Sequence, residues 1–292
     1  MSWRTVIISN QSKLDYKMGY LVVRNDSETK RVLMDEIAVL LIENPAVSLT
    51  GFLIEAAMEK KIKVIFCDSK RNPVSELIPH HGSHDSSSKI RTQFAWNDAV
   101  KAVIWRDIVS EKIRKQADFL FELGKTEQAD MLFEYLDQVD YGDVTNREGH
   151  AAKVYFNALF GLDFTRSAEI PINAALNYGY SLILSSFNRE ISANGYLTQL
   201  GIFHDNMFNH FNLACDFMEP FRILVDRYVY EMKPEKFEKD EKHQIWNLLD
   251  KRVLIDGQSQ LLPDAMRIYT KSVLDAINDN DSSEIKFYSL EG

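Results

Sequence analysis

Three segments of the chain place acidic side chains and a histidine where they could bind a divalent metal. Glu148 lies in the segment REGHAAKVYF, His204 in GIFHDN, and Asp216 and Glu219 in ACDFMEPFR. One histidine with two or three carboxylates is a hard, oxygen-rich set of ligands, which suits Mg²⁺ or Mn²⁺ better than zinc. Such a metal most often acts on phosphate esters. These residues alone therefore predict a metal-dependent phosphoryl-transfer site and lead no further.

The same acidic residues also have purely structural interpretations. Thr145 and Glu148 are spaced as a capping box, in which the glutamate satisfies a backbone N–H at the start of a helix. Asp216 and Glu219 share one helical face beside apolar neighbours and therefore need a cationic partner. Arg222 could supply it as a structural ion pair. The residues by themselves leave both interpretations open.

A third polar segment, NAALNYGY, lies inside a region with helical periodicity. Asn173 and Asn177 are spaced i, i+4 and so share a face. Asparagine, tyrosine and glycine all lower the helix propensity of this segment. Its polar residues are predicted either to form a buried polar network or to contact a substrate backbone, with equal support for each.

The elements that must position these residues fall into two kinds. The first eighty residues contain short runs of β-branched residues, which predict strands at 5–8, 19–24, 31–34, 37–42, 64–68 and 73–79, and one helix at 50–61. A polar segment then gives way to helical periodicity, which predicts helices at 90–123, 126–139, 145–160, 171–193, 208–232, 235–250 and 261–278. Gly124 should end the first of these, and Pro220 should kink the fifth. The predicted fold is α+β: a small β-rich domain (1–80), a flexible linker (81–88) and a larger all-α catalytic domain (89–292).

Composition narrows the class of protein. Of 292 residues, 45% are hydrophobic and 26% charged, which is typical of a globular protein. The two cysteines are far apart, no secretory signal opens the sequence, and no apolar run is long enough to span a membrane. These features predict a cytoplasmic location.

Charge alone would argue against a nucleic-acid partner, because the net charge is −9. A basic island at residues 89–115 softens that argument. At 3.6 residues per turn, Lys101, Lys112 and Lys115 lie in one broad sector of a helix. They are predicted to follow a DNA backbone, and a solvated helix face is the alternative.

The order and spacing of REGHAAKVYF, NAALNYGY, GIFHDN and ACDFMEPFR resemble the CRISPR spacer-acquisition integrases, the first of the Cas proteins, in their type II-A form. The resemblance covers nearly the whole chain. It implies that Glu148, His204 and Glu219 are the metal-binding catalytic residues, that Asp216 supports them and that Tyr178 lies near the site.

The resemblance also implies a reaction and partners. Family members use the 3′-hydroxyl of a foreign DNA fragment to attack a phosphodiester at a repeat of the CRISPR array, in the bacterial cytoplasm and with Mg²⁺ or Mn²⁺. They form homodimers that flank a small ferredoxin-like partner, the second Cas protein, and other type II-A adaptation proteins are further expected partners. The alternatives are a non-catalytic DNA-binding or assembly subunit, and a structure-specific nuclease acting on branched DNA in repair.

The homodimer is predicted to form through the β-rich domain. A domain of about eighty residues is near the size at which an isolated core becomes marginal, so part of its apolar surface should be covered by a second copy. Leu21, Val23, Leu33, Leu40 and Ile42 are the candidates for that surface.

Overall fold

The computed structural model describes residues 4–77, 83 and 85–290. The chain divides into two compact units, Met1–Gly82 and Ser83–Gly292. Part of the predicted linker, residues 81, 82 and 84, lies outside the described residues. Its last three residues, 86–88, form the start of the first helix of the second unit.

The first unit is β-rich, as predicted, and contains two four-stranded sheets. Its elements are β1 (Arg4–Ile8), β2 (Lys13–Lys17), β3 (Tyr20–Arg24), β4 (Thr29–Leu33), β5 (Ile37–Ile42), β6 (Ser48–Leu49), α1 (Gly51–Glu59), β7 (Lys63–Cys67) and β8 (Pro73–Glu76). One sheet has the order β1-β5-β7-β8, in which the first three strands are parallel. The other has the order β4-β3-β2-β6 and is antiparallel except where β6 joins β2. Strands β2 and β6 were not expected from the sequence.

The core of this unit contains residues that the sequence assigned to a dimer surface. Leu21, Leu40 and Ile42 are almost completely buried in the unit's own hydrophobic cluster. That assignment is wrong for these three residues, because β5 is buried along its whole length and Leu21 faces inward from β3. The homodimer itself stays a prediction.

The second unit is mostly helical. Its helices are α2 (Ser86–Phe94), α3 (Asp98–Glu122), α4 (Thr126–Leu136), α5 (Arg147–Phe160), α6 (Pro171–Ala193), α7 (Asn212–Met218), α8 (Arg222–Met232), α9 (Lys239–Trp246) and α10 (Leu262–Asp279). Helix α3 contacts α4, α5, α7, α8 and α10, so it forms the centre of the unit. No helix among the described residues is long and apolar enough to cross a membrane.

Two differences from the predicted helices have local causes. The expected single helix at 90–123 is two helices, because Asn97 leaves the helical conformation and its side chain accepts a hydrogen bond from the N–H of Ala99 at 2.8 Å. The expected helix at 208–232 begins at Asn212 and is interrupted at Pro220 by a 3₁₀ turn, Glu219–Phe221. The helix is therefore interrupted around Pro220, where the sequence predicted a kink if one helix ran through it.

The all-α prediction missed a small three-stranded sheet. It consists of β9 (Arg252–Ile255), β10 (Gln258–Leu261) and β11 (Ser289–Leu290), in the order β10-β9-β11. Asp256 and Gly257 join the first two strands with φ values of 52° and 70°. An Asp-Gly pair in this conformation is a common hairpin turn. The signal was therefore present in the sequence.

Candidate active site

Two glutamates meet at one lysine inside the helical unit. The ammonium nitrogen of Lys112, on α3, lies 2.5 Å from Oε1 of Glu148, on α5, and 2.5 Å from Oε2 of Glu219, in the 3₁₀ turn. The Glu219 side chain is 3% exposed and the Glu148 side chain 21%. Arg222 Nε lies 2.8 Å from the other oxygen of Glu219. Each oxygen of the buried Glu219 carboxylate thus has its own cation, and we call Glu148 and Glu219 the carboxylate pair.

The charges at this point stabilise one another. Burial by itself would lower the pKa of Lys112, but the nearby Glu219 and Glu148 carboxylates outweigh it and raise that pKa. Burial would likewise raise the pKa of Glu219, and Arg222 and Lys112 reverse that effect and lower it. Both groups are therefore ionised at neutral pH. The structural ion pair of Glu219 with Arg222, one of the two interpretations from the sequence, is confirmed.

The start of α5 fixes the position of Glu148. Asn146 is the N-terminal cap, with a left-handed φ of 54°, and its side chain accepts from the N–H of Gly149 at 3.2 Å. Asp143 accepts from the N–H groups of Arg147 at 2.7 Å and Glu148 at 3.0 Å. The free N–H groups of the first helical turn are thereby occupied by other side chains.

The capping-box interpretation of Thr145 and Glu148 is therefore wrong. Helix α5 begins at Arg147, one residue later than a cap at Thr145 would place it. Because Asp143 and Asn146 satisfy the helix start, the Glu148 carboxylate points away from it, toward Lys112.

Asp216 holds the loop that carries His204. We call residues 197–211 the His204 loop. Oδ2 of Asp216 accepts from the N–H groups of Ile202 at 2.6 Å and Phe203 at 3.2 Å. Oδ1 accepts from the His204 N–H at 3.0 Å and lies 2.6 Å from His204 Nδ1. Asp216 is completely buried, so four hydrogen bonds replace the water that its carboxylate loses.

The orientation of the imidazole follows from this contact. A carboxylate next to Nδ1 favours the proton on that nitrogen and leaves Nε2 with its lone pair. The hydrogen bond to Asp216 raises the pKa of His204, and the Glu219 and Glu148 charges raise it further. The histidine therefore lies within electrostatic reach of the carboxylate pair.

Trp105 and Gly201 shape the His204 loop. The Trp105 ring stacks on Phe203 at a centroid distance of 4.4 Å and meets the His204 ring edge-on at 5.6 Å. A Cβ atom at Gly201 would clash with the His204 carbonyl oxygen and lie 2.7 Å from Asp216 Oδ2. A larger residue at position 201 would displace the loop from Asp216.

Tyr178 and its neighbour Tyr180 have different surroundings. The Tyr178 hydroxyl accepts a hydrogen bond from Trp246 Nε1 at 2.8 Å, which ties α6 to α9. The Tyr180 ring instead lies beneath the guanidinium of Arg222, 4.7 Å from its centroid, and its hydroxyl donates to the buried Asp226. The supporting role of Tyr178 stays a prediction, and Tyr180 is the tyrosine that the structure connects to Glu219 through Arg222.

Asn173 and Asn177 belong to a polar network. Their side-chain oxygens accept from the two terminal nitrogens of Arg166, at 2.5 and 2.6 Å. The Asn173 amide also donates to the carbonyls of Thr165 and Ala168, both at 2.8 Å. Of the two interpretations, the structure favours the network, which fixes the loop before α6. Their predicted contact with DNA stays a prediction.

The three lysines predicted to face DNA do not form a solvent-exposed row. Lys112 lies between the glutamates, and Lys115 pairs with Glu111 at 2.9 Å and is largely buried. Lys101 pairs with Asp98 at 2.6 Å. The premise of that prediction is wrong because α3 is the central helix of its unit, and binding of DNA by these residues stays a prediction.

The position of Lys112 could have been read from the sequence. It follows Trp105 by seven residues and Ile108 by four, and both are completely buried. Residues at these spacings share one helical face. A lysine on an apolar face needs an internal partner, which is a signal distinct from net charge.

No three His, Cys, Asp or Glu side chains in the described part of the chain stand close enough together to hold a metal ion. The donor chemistry nevertheless fits one. Glu148 and Glu219 already converge on a single cation, and the His204 ring nitrogen opposite Asp216 carries a lone pair. The residues present therefore suit a hard divalent cation in place of the ammonium group.

The chain shares its fold with solved structures of a casposase and of a Cas1 protein. The chain is similar to a casposase bound to its integration product, with a TM-score of 0.74 and 17% identity over 97% of this chain and 93% of that one. It is also similar to a Cas1 protein from Thermotoga maritima, with a TM-score of 0.73 and 17% identity over 94% and 97% of the two chains. At such identities the likeness concerns the fold.

Sequence similarity is more specific. The family model for CRISPR-associated protein Cas1 matches residues 5–252. The CRISPR-associated endonuclease Cas1 of Neisseria meningitidis serogroup C is 32% identical over 98% of this chain and 96% of its own length. A relative from Pyrobaculum aerophilum is 27% identical over 76% and 79%. The chain belongs to the family of CRISPR-associated Cas1 proteins, which confirms the family resemblance seen in its motifs.

Proposed function

We propose that this protein is a metal-dependent DNA integrase that inserts foreign DNA fragments as new spacers into a CRISPR array. The observation that carries the proposal is the convergence of Glu148 and Glu219 on one cation beside a histidine held by Asp216. Glu148, His204 and Glu219 would hold Mg²⁺ or Mn²⁺. When bound, the metal supplies activation of an oxygen nucleophile and stabilisation of charge on the phosphate oxygens.

The proposed reaction is a transesterification. The 3′-oxygen of the incoming fragment loses its proton and forms a bond to the phosphorus at a repeat end. The bond from that phosphorus to the neighbouring 3′-oxygen breaks, and this leaving oxygen takes up a proton, so no net proton is released. In this reaction Asp216 keeps the His204 ring in one orientation, and Arg222 keeps Glu219 ionised and in place. Both effects come from buried contacts that already exist in the protein.

Its proposed partners are DNA, a second copy of the chain, the small ferredoxin-like Cas2 protein and other adaptation proteins of a type II-A system. Support comes from the solved structure of a Cas6-RT-Cas1–Cas2 complex, which covers 97% of this chain at a TM-score of 0.74 and of which this chain covers 36%. Because the charges of Lys101, Lys112 and Lys115 are paired within the protein, DNA must be held largely by other cations of the assembly.

Strand joining by variants tests the proposal. Glu148→Ala, His204→Ala and Glu219→Ala should each lower the rate of joining a short DNA fragment to a repeat-containing duplex by at least about 10²-fold in Mn²⁺. Asp205→Ala is the matched control, since Asp205 is exposed and adjacent to His204. Circular dichroism and DNA-binding titrations should show that the variants remain folded and bind DNA.

A non-catalytic assembly subunit is the second candidate, favoured by the ion pairs that Lys112 makes with both glutamates. It predicts that Mn²⁺ and a chelator have no effect on any DNA reaction, and that Glu148→Ala changes thermal stability alone. Wild-type joining by Glu148→Ala would contradict the integrase proposal. Cleavage of branched DNA without joining would instead support a repair nuclease.

A further inference from the structure

Lys112 occupies the position at which the proposed metal would have to bind. Its ammonium nitrogen makes two contacts of 2.5 Å, one to each member of the carboxylate pair, and its side chain is 10% exposed. An ammonium group and a divalent cation both satisfy carboxylate oxygens, and they cannot share one position between the same two oxygens. Binding of the metal therefore has to move the lysine.

The charges around the carboxylate pair show what such an exchange would do. Glu148, Glu219 and Asp216 are opposed by Lys112 and Arg222, so the cluster carries one net negative charge when His204 is neutral. Replacing the lysine by a divalent cation brings that charge to zero and leaves the displaced ammonium group without its carboxylate partners. The ammonium group then attracts an anion, and a DNA phosphate is the anion that the proposed reaction brings to it.

The type of residue suits this exchange. Lysine carries a compact charge on a flexible stem of four methylenes, whereas arginine binds carboxylates in a fixed planar fork. Arg222, which is half-buried against Tyr180, is the fixed cation of Glu219, and its guanidinium does not bridge to Glu148 by any hydrogen bond of the described residues. Lys112 can leave while Arg222 stays.

We propose that Lys112 is an exchangeable counter-ion: without metal its ammonium group holds Glu148 and Glu219 together, and when a divalent cation takes its place it moves to a DNA phosphate. This inference rests on the proposed function, because it requires a metal at the carboxylate pair. It makes metal binding and phosphate binding cooperative at one site. Lys112 is then a positioning residue in the metal-free protein and a phosphate ligand in the loaded one.

The first test measures Mn²⁺ affinity without DNA or activity, by the electron paramagnetic resonance signal of free Mn²⁺ at about pH 8. Lys112→Met should lower the Mn²⁺ dissociation constant by about tenfold or more, since the metal no longer displaces a charge-assisted hydrogen bond. Lys101→Met is the control, because Lys101 is on the same helix and pairs with Asp98 alone. A change of less than about threefold in Lys112→Met would overturn the proposal.

The second test uses the unmodified protein, so it holds even if Lys112→Met does not fold. Lysines are acetylated briefly with an activated ester and quantified by peptide mass spectrometry. Lys112 should be protected without metal, should react in saturating Mn²⁺ at a rate near that of the exposed Lys153, and should be protected again when a short DNA duplex is added. Lys101 should react at the same rate with and without Mn²⁺.

The outcomes separate the two proposals. Protection of Lys112 in saturating Mn²⁺ would overturn the exchange while leaving the metal site intact, and reaction that persists with DNA would overturn the transfer to phosphate. A wild-type protein that binds no Mn²⁺, or that binds it unchanged after Glu148→Ala and Glu219→Ala, would contradict the proposed function itself.

Discussion

Asp216 and Glu219 are three residues apart, yet the protein satisfies their charges in opposite ways. Asp216 receives three backbone N–H groups and the His204 ring, and it is completely buried. Glu219 receives two side-chain cations, Lys112 and Arg222. The regular helix ends at Met218, so Asp216 lies within α7 and Glu219 in the 3₁₀ turn that contains Pro220.

The difference divides the site into a fixed part and an adjustable part. Backbone N–H groups cannot leave Asp216 unless the His204 loop unfolds, so this carboxylate keeps the same hydrogen-bond partners as long as the loop is folded. Side-chain cations can change partners by rotating about single bonds, so the carboxylate pair can accept another cation. A metal site needs both properties, one to orient its imidazole and one to exchange its counter-charge.

Asp216→Ala is the largest expected perturbation. It leaves three N–H groups of the His204 loop without an acceptor and should lower the free energy of unfolding by about 3–5 kcal/mol. Urea denaturation of the metal-free protein measures this. Asp205→Ala, on the exposed side of the same loop, should change it by less than about 0.5 kcal/mol. A loss for Asp216→Ala as small as that of the control would mean that the loop does not depend on this carboxylate.

Substitutions in the carboxylate pair should lower the free energy of unfolding by smaller amounts, which should differ between the two glutamates. Glu219→Gln removes a buried charge that lies between two cations and should lower the free energy of unfolding of the metal-free protein by about 2–3 kcal/mol. Glu148→Gln removes a partly exposed charge with one cation and should cost about 1 kcal/mol or less. Equal losses of unfolding free energy for the two variants would show that Lys112 pairs with both glutamates equally strongly. They would also show that Arg222 contributes little to the stability of Glu219.

Substitutions at the start of α5 should have the smallest effect on the free energy of unfolding. They test why Glu148 faces Lys112. Asp143→Ala removes the acceptor for two helix N–H groups and should cost about 1 kcal/mol. Thr145→Ala should cost less than about 0.5 kcal/mol, because Thr145 is not the cap. Thermal unfolding measures both losses of stability. A larger loss for Thr145→Ala than for Asp143→Ala would restore the capping-box interpretation.

Much of the fold could be predicted from the sequence because its signals are local. Helix α6 has the bounds predicted for it, 171–193, since Pro171 is well suited to the first turn of a helix and the apolar period continues without a break. The strands β5 and β7 were found for the same kind of reason: their β-branched runs are continuous. Strand β2, KLDYK, was missed because its charged residues hide a single buried leucine.

The sequence identified the carboxylates that the structure brings together and one cationic partner of Glu219, but not the lysine between the two glutamates. Glu148, His204, Asp216 and Glu219 could be singled out because carboxylates beside apolar residues are unusual. The cation between the two glutamates comes from tertiary contacts: Lys112 is 36 positions from Glu148 and 107 from Glu219. A pattern that repeats every 3.6 residues carries no information about partners at such separations, so the lysine was assigned to solvent and DNA.

The backbone of residues 202–204 is irregular, yet its amides are bonded as firmly as those of a helix, because a single buried carboxylate accepts all three. In hydrogen–deuterium exchange these amides should behave as part of the most slowly exchanging core, on the time scale of global unfolding. Met207 and Phe208, a few residues further along the same loop, are more than four-fifths exposed and should exchange within seconds to minutes. His204, the catalytic histidine of the proposed reaction, would then lie between a slowly exchanging segment and a rapidly exchanging one. The first segment holds its backbone in place, and the second is exposed where a large substrate would approach.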